Sequence, residues 1–204
     1  MRRIDEFYKF IGQYTSPVIL LEGIRALPAA KYQELVSLGE LLAKNLPDTR
    51  FRTGNATGSD EAFAEGVAKV DPGRLEYILP YSGHRKKKIF PQAICHAINT
   101  VSDSVSGDEQ MENLLKNTLI ASPDYRDLLS KGKNIPKLKA KINYLLRDTM
   151  KVVGIDEKIP EATAGIFFAD ITDPMKGGTG HTIRVCRENS IPVILQNEWK
   201  QWLS

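Results

Sequence analysis

Cysteine is scarce: Cys95 and Cys186 are the two in a chain of 204 residues. That excludes a disulfide scaffold, and the two lack metal-ligand spacing. Histidine is scarce as well, with three residues. No His, Cys and Asp fall at the spacing of a structural metal centre, so none is expected. Long apolar runs are missing. The longest, such as Val18-Ile19-Leu20-Leu21, are the size of a strand and far short of the ~20 residues of a spanning helix. No apolar stretch follows Met1-Arg2-Arg3, where acidic residues interrupt the sequence. A secretory leader is therefore not expected, and the reading is a cytoplasmic protein with no membrane partner. An excess of one charge is lacking too. Lys and Arg number 28 against 25 Asp and Glu, a formal charge of +3. That is compatible with an anionic ligand and unlike a protein that coats nucleic acid.

Familiar nucleotide signatures are also absent. After the first expected strand stands Gly23-Ile24-Arg25-Ala26-Leu27-Pro28, which is not the Gly-x-Gly-x-x-Gly of dinucleotide folds. No P-loop occurs, and no Gly-x-Ser-x-Gly elbow. With 42% hydrophobic and 26% charged residues, the chain nevertheless has the composition of a globular protein. At this length a core is buried without staples.

The order of elements is informative. Ile4, Phe7, Tyr8 and Ile11 share one face of a short helix or arm over 4–14. Val18 to Glu22 is continuously apolar, as in a strand covered on both faces, and ends at Gly23. Tyr32, Leu35, Leu38, Leu41, Leu42 and Leu46 repeat at helical spacing over 29–46, with Pro47 beyond. Arg50 to Thr53 is a weaker strand. The next helix, with Ser59 as its N-cap, directs Phe63, Val67 and Val70 inward. Leu75 to Leu79 is a third strand. Residues 91–100 read as helical and 102–110 as an exposed loop. Two helices follow, the second over 135–150 with Leu138, Ile142, Leu145 and Leu146 on one stripe. Gly165 to Ala169 is a strand, 181–188 a helix, Ile191 to Leu195 the last strand and 198–203 a closing helix.

Such alternation predicts an α/β fold: a Rossmann-like parallel sheet with helices on both faces. One domain spans 1–204, with a helical insertion at about 84–160.

Ligands of open parallel sheets sit beyond the carboxyl ends of the strands. The first strand leads to Gly23 and Arg25, the latter suited to clamping a phosphate or stacking on a base. The second leads to Thr53, Gly54, Asn55, Gly58, Ser59, Asp60 and Glu61, and the third to Tyr81. The fourth leads from Asp170 and Asp173 to Gly177-Gly178-Thr179-Gly180-His181-Thr182. In this last loop three glycines allow close approach, and a helix starts at or just after them. Its free N–H groups and positive end form an anion site. Thr179, Thr182 and His181 add donors, and no carboxylate intervenes. Asp60 and Glu61 would repel a phosphate. They suit the first turn of a helix, sugar hydroxyls, or the activation of an attacking water. His84 and His96 have no evident partners. Arg85-Lys86-Lys87-Lys88, with Lys137 and Lys141, is a basic run for which DNA is the alternative partner. No aromatics interleave it to stack bases.

Three stretches together resemble a known group: Val18-Ile19-Leu20-Leu21-Glu22-Gly23-Ile24-Arg25, Thr53-Gly54-Asn55-Ala56-Thr57-Gly58-Ser59-Asp60 and Gly177-Gly178-Thr179-Gly180-His181-Thr182. They are similar to the SMF/DprA–LOG (SLOG) superfamily, most closely to its YpsA-related branch. The resemblance covers about 17–83 and 164–197. It implies a Rossmann-like fold that binds nucleotides or nucleotide-derived ligands. Gly54, Gly58, Ser59 and Asp60 would line one side of the pocket, and Gly177, Gly178, Thr179 and Gly180 would hold the phosphate. A homodimer is implied as well; no cofactor is expected to be required. The LOG enzymes carry Pro-Gly-Gly-x-Gly-Thr-x-x-Glu. Here Lys176 replaces the proline, His181 the threonine and Arg184 the catalytic glutamate. An N-glycosidic hydrolase of this type would need another carboxylate, with Asp60 and Glu61 as first candidates and Asp170 and Asp173 behind them. DprA-like DNA binding is the alternative function.

Overall fold

In a computed structural model, residues 3–99, 108–131 and 136–203 are described. The expected residues 102–107 and the Lys137 side chain lie outside them. The described chain runs α1 (Ile4–Ile11), β1 (Val18–Gly23), α2 (Ala29–Asn45), β2 (Arg50–Thr53), α3 (Ser59–Ala68), β3 (Leu75–Leu79) and β4 (Ile94–Ala97). It continues with α4 (Asp108–Ala121), α5 (Arg126–Lys131), α6 (Pro136–Val153), β5 (Ala164–Phe168), α7 (Gly177–Glu188), β6 (Val193–Leu195) and α8 (Gln196–Trp199). The strands form one parallel six-stranded sheet in the order β4-β3-β2-β1-β5-β6. This is the α/β, Rossmann-like architecture that the alternation of elements predicts.

Strand side chains alternate between faces, and the two faces are different in kind. Toward one point Ile19, Leu21, Phe51, Leu75, Tyr77, Ile166 and Phe168, covered by α1, α2, α3 and α8 through Phe7, Leu35, Leu38, Phe63 and Trp199. Toward the other point Leu20, Ile78 and Phe167, covered by α4, α6 and α7 through Leu114, Ile142, Leu146, Met150, Ile183 and Cys186. Between these apolar residues the second face carries charge. Arg52 Nε lies 2.5 Å from Glu76 Oε2, both fully buried. Arg52 Nη1 donates to the carbonyls of Lys151 (2.9 Å) and Pro160 (2.8 Å). These bonds fix the C-terminal end of α6 against the sheet, and with it the side chains of its last turns.

Several boundaries differ from the sequence reading for local reasons. Residues 94–97 are a strand rather than part of a helix. Ile94 and Cys95 are exposed, because β4 is an edge strand with one neighbour and no continuous apolar run. The stretch 84–160 is therefore not a helical insertion throughout, and its helices α4 and α6 are a regular layer on the second face. Gly58, not Ser59, is the N-cap of α3: the Ser59 hydroxyl donates to the Ile24 carbonyl at 3.0 Å. Val70 lies beyond α3 and is 37% exposed. Residues 108–110, read as loop, open α4. Most consequentially, α7 begins at Gly177, four residues before His181. The glycines are its first turn and not a linker to it.

Candidate functional site

The sheet order creates a crevice. From β1 the chain passes to β2, β3 and β4 on one side, then returns to β5 on the other side of β1. The connection after β1 leads to α2 on the first face and that after β5 to α7 on the second. The two loops diverge, and such a switch point is where open α/β sheets bind ligands. A cavity of about 280 Å³ occupies it, lined from β1 by Glu22, Gly23 and Arg25, from β5 and α7 by Asp170, Lys176, Gly177, Gly178 and Thr179, and from neighbouring elements by Asp60, Arg147 and Asp148.

The α7 wall is a row of free donors. The first backbone bond at its start is Gly180 N–H to the Lys176 carbonyl, 3.1 Å. Among the described residues no carbonyl or side chain takes the N–H groups of Gly177, Gly178 or Thr179, and the N-cap residue Lys176 supplies no side-chain cap. The helix dipole adds partial positive charge there. At the rim, Arg25 and Lys176 make no ion pair among the described residues.

The buried acids facing this cavity, Glu22, Asp60 and Asp148, are held by groups of the protein itself. Asp60 Oδ2 accepts from the N–H groups of Gly54 and Ala56, 3.1 Å each, and Oδ1 from Gly23 at 3.4 Å. It ties the β1 and β2 loops together. Glu22, at the end of β1, pairs with buried Lys151, which also lies 2.8 Å from Asp148. Arg147 Nε is 3.0 Å from Asp148, and Arg147 Nη1 donates to the Gly54 carbonyl at 2.8 Å. A Cβ on Gly54 would stand 1.9 Å from that Nη1, so glycine is required for the arginine to seat. Gly58, at φ +79, admits the Ile24 and Arg25 carbonyls where a Cβ would be. Burial pushes the Glu22 carboxyl up to about 7; the charges of Asp148 and Asp60 assist, and Lys151 opposes. Burial also works to raise Asp148, but Arg147 and Lys151 outweigh it and hold that carboxyl below its ordinary value.

The sequence-predicted residues divide accordingly. Gly23, Arg25, Asp60, Asp170, Gly177, Gly178 and Thr179 are brought to one cavity. Asp170 Oδ1 also accepts from the Thr172 hydroxyl (2.7 Å) and from the amides of Thr172 and Asp173, which keep its acid strength high. Gly54, Gly58 and Ser59 act behind the lining. Gly180 packs its Cα face against the Met175 backbone, where a Cβ would meet the carbonyl at 1.9 Å. Asn55 is a loop pin, its Nδ2 donating to the His84 carbonyl at 3.0 Å and its own carbonyl accepting from Arg85. Thr53 is buried away from the lining, with its hydroxyl unpartnered.

Thr182 turns inward, its hydroxyl 3.1 Å from Glu22 Oε1 and 3.0 Å from the Gly178 carbonyl. His181 does not reach the cavity. It lies one turn further along α7 than Gly177 and is fully buried, with Ser122 Oγ (2.8 Å) and Thr149 Oγ1 (3.1 Å) holding its two nitrogens. Burial drives its pKa down to about 4 against the pull of Asp148, so it is a neutral buttress. Glu61 points away to Arg85 (2.9 Å) and Lys88 (2.8 Å), whose bonds lower its pKa. One carboxylate thereby engages two of the four cations of the basic run. Tyr81 is not among the residues lining the cavity and stands in an aromatic cluster with His84.

Sequence reasoning missed Arg147, Asp148 and Lys151, and passed over Glu22. A signal was present: in α6 these charges interrupt the turns that carry Leu145, Leu146 and Met150, so they share buried positions with the core stripe. Among the described residues no group of three or more His, Cys, Asp or Glu is arranged to hold a metal. No described helix is long and apolar enough to cross a membrane. Compared with models of protein families, with curated proteins and with solved structures, the chain matches none.

Proposed function

We propose that the protein binds a nucleotide or a nucleotide-derived small molecule at the switch-point cavity, with the phosphate seated on the first turn of α7. One observation carries this reading. Three consecutive amides, of Gly177, Gly178 and Thr179, lie unbonded at a cavity whose buried acids Glu22, Asp60 and Asp148 are bonded within the protein and whose rim cations, Arg25 and Lys176, make no ion pair among the described residues. Anions bind at such helix starts through the N–H groups and the dipole together. The test is calorimetry with ribose 5-phosphate, the four nucleoside monophosphates, cyclic nucleotides, ADP-ribose and NAD. At least one should bind, and Lys176→Glu should weaken it tenfold or more. If none binds, or if the variant binds as well as the parent, the reading fails.

A second reading, cleavage of the ligand's N-glycosidic bond by water, is favoured by Glu22. Its carboxyl lines the cavity and titrates near neutrality, as suits an acid–base catalyst at neutral pH. Asp60 and Glu61 are engaged elsewhere. Chromatography of incubated nucleoside monophosphates should show free base and ribose 5-phosphate from the parent and not from Glu22→Gln. Without free base, the protein is a binder.

A further inference from the structure

Against the two arginines of the cavity stands a group of rings drawn from two separate elements. Tyr81 and His84 lie on the connection after β3, and Tyr144 lies on α6. Tyr81 and His84 meet edge to face at 5.1 Å between centroids, and His84 and Tyr144 at 5.9 Å. The Tyr81 hydroxyl is 3.1 Å from His84 Nδ1. Edge-to-face contacts of this kind fix each ring's orientation. Tyr81 is 45% exposed, one of few large apolar side chains on the surface of the described residues.

The cluster is joined to the cavity by two arginines. The guanidiniums of Arg25 and Arg147 each lie 5.5 Å from the Tyr144 ring centroid, and both arginines line the cavity. Their roles differ. Arg147 is buried and committed to Asp148 and the Gly54 carbonyl. Arg25 is exposed, and among the described residues its guanidinium makes neither an ion pair nor a hydrogen bond. It is a planar cation resting on a tyrosine with its hydrogen-bonding edge open.

We infer that the shelf formed by Tyr81, Tyr144 and Arg25 holds a planar heteroaromatic ring, so the ligand class is nucleoside phosphates rather than sugar phosphates or inorganic phosphate. This inference rests on the phosphate reading above and specifies the other end of the same ligand. An arginine plane and tyrosine rings stack on any base, because every base presents a π face. The shelf is pre-oriented by the His84 contacts, so little side-chain freedom is lost when a ring docks. The charges nearest it are cationic, which suits an anionic ligand and disfavours a positively charged ring.

The experiment compares ribose 5-phosphate with the four nucleoside monophosphates by calorimetry, in the parent and in Tyr144→Leu, Tyr81→Ala and Arg25→Ala. Thermal melts confirm that each variant is folded; Tyr81 and Arg25 are exposed, so at least those two variants should fold. The best monophosphate should bind the parent roughly 5- to 150-fold tighter than ribose 5-phosphate, the range for one stacked base. Each folded shelf variant should shrink that ratio several-fold while leaving ribose 5-phosphate affinity within about twofold for the tyrosine variants. Equal affinities in the parent, or a ratio that survives both exposed-site variants, overturns the shelf and leaves the phosphate reading standing. If neither ligand class binds, both fall together.

Discussion

Asp60 offers the sharpest separation of scaffold from chemistry. Its carboxylate collects three amides: Gly54 and Ala56 at 3.1 Å each and Gly23 at 3.4 Å. Asp60→Ala would leave all three without an acceptor. A buried donor left unsatisfied costs about 1–3 kcal/mol. Gly54 N–H is fully buried and is assigned about 2 kcal/mol on that scale. Ala56 is only partly buried, so water can replace part of its bond, and about 1 kcal/mol remains. The longer Gly23 bond adds less. The sum is a loss of about 3 kcal/mol, which for a chain of this size lowers Tm by roughly 6–12 °C. Asp60→Asn keeps one carbonyl oxygen for Gly54 and Ala56 and turns its amide toward the weak Gly23 bond. It should cost only about 1 kcal/mol. Urea unfolding followed by circular dichroism measures both. A loss below about 0.5 kcal/mol in the alanine variant, or an asparagine variant as unstable as the alanine one, would refute the clamp.

Lys151→Met leaves the buried carboxylates of Glu22 and Asp148 without their shared cation, and should destabilise by about 3–5 kcal/mol in the same assay. Adding Glu22→Gln should recover part of the loss, since Asp148 retains Arg147. Gly54→Ala forces Arg147 off its carbonyl acceptor, and should cost about 1–3 kcal/mol and weaken monophosphate binding; unchanged binding would separate that arginine from the site. Acid stability should fall through His181. Its folded pKa, about 4, lies below the ordinary 6.5, so between these values the unfolded chain takes up a proton that the folded one refuses. Stability is full above pH 6.5 and declines toward pH 4, by up to about 3 kcal/mol for this group. The decline should flatten in His181→Gln. Glu22 acts with the opposite sign, its raised pKa removing stability as pH climbs from 4.5 to about 7. Glu22→Gln should therefore gain on the parent across that interval.

The strands β1, β3 and β5 and the helices α2 and α6 were legible because each carries its own signal: a largely apolar run for strands covered on both sides, broken in β3 by Glu76 alone, or a 3.6-residue stripe. Strand β4 was not, since an edge strand with two exposed residues resembles any short mixed segment. The start of α7 was misplaced because glycine has low helix propensity. Yet the first turn needs no internal bonds from its own N–H groups, so glycines there do little harm. The composition of Gly177–Thr179 led to the expectation of an anion site, and the same composition hid that the segment is already helical.

Local sequence thus determined the α/β alternation, the parallel sheet and the small, flexible residues that follow its strands. Those depend on periodicity and on conformational freedom, which neighbours along the chain decide. The tertiary structure alone decided which acids are free. Asp60, an apparent ligand contact, is bound by three amides from two loops. His181, an apparent phosphate donor, is buried one turn into α7, where Ser122 and Thr149 take both its nitrogens. Arg147, Asp148 and Lys151, some 120 residues from β1, are delivered to its end by α6. Pairing of buried charges depends on distances of a few ångströms between remote segments. No reading along the chain contains those distances.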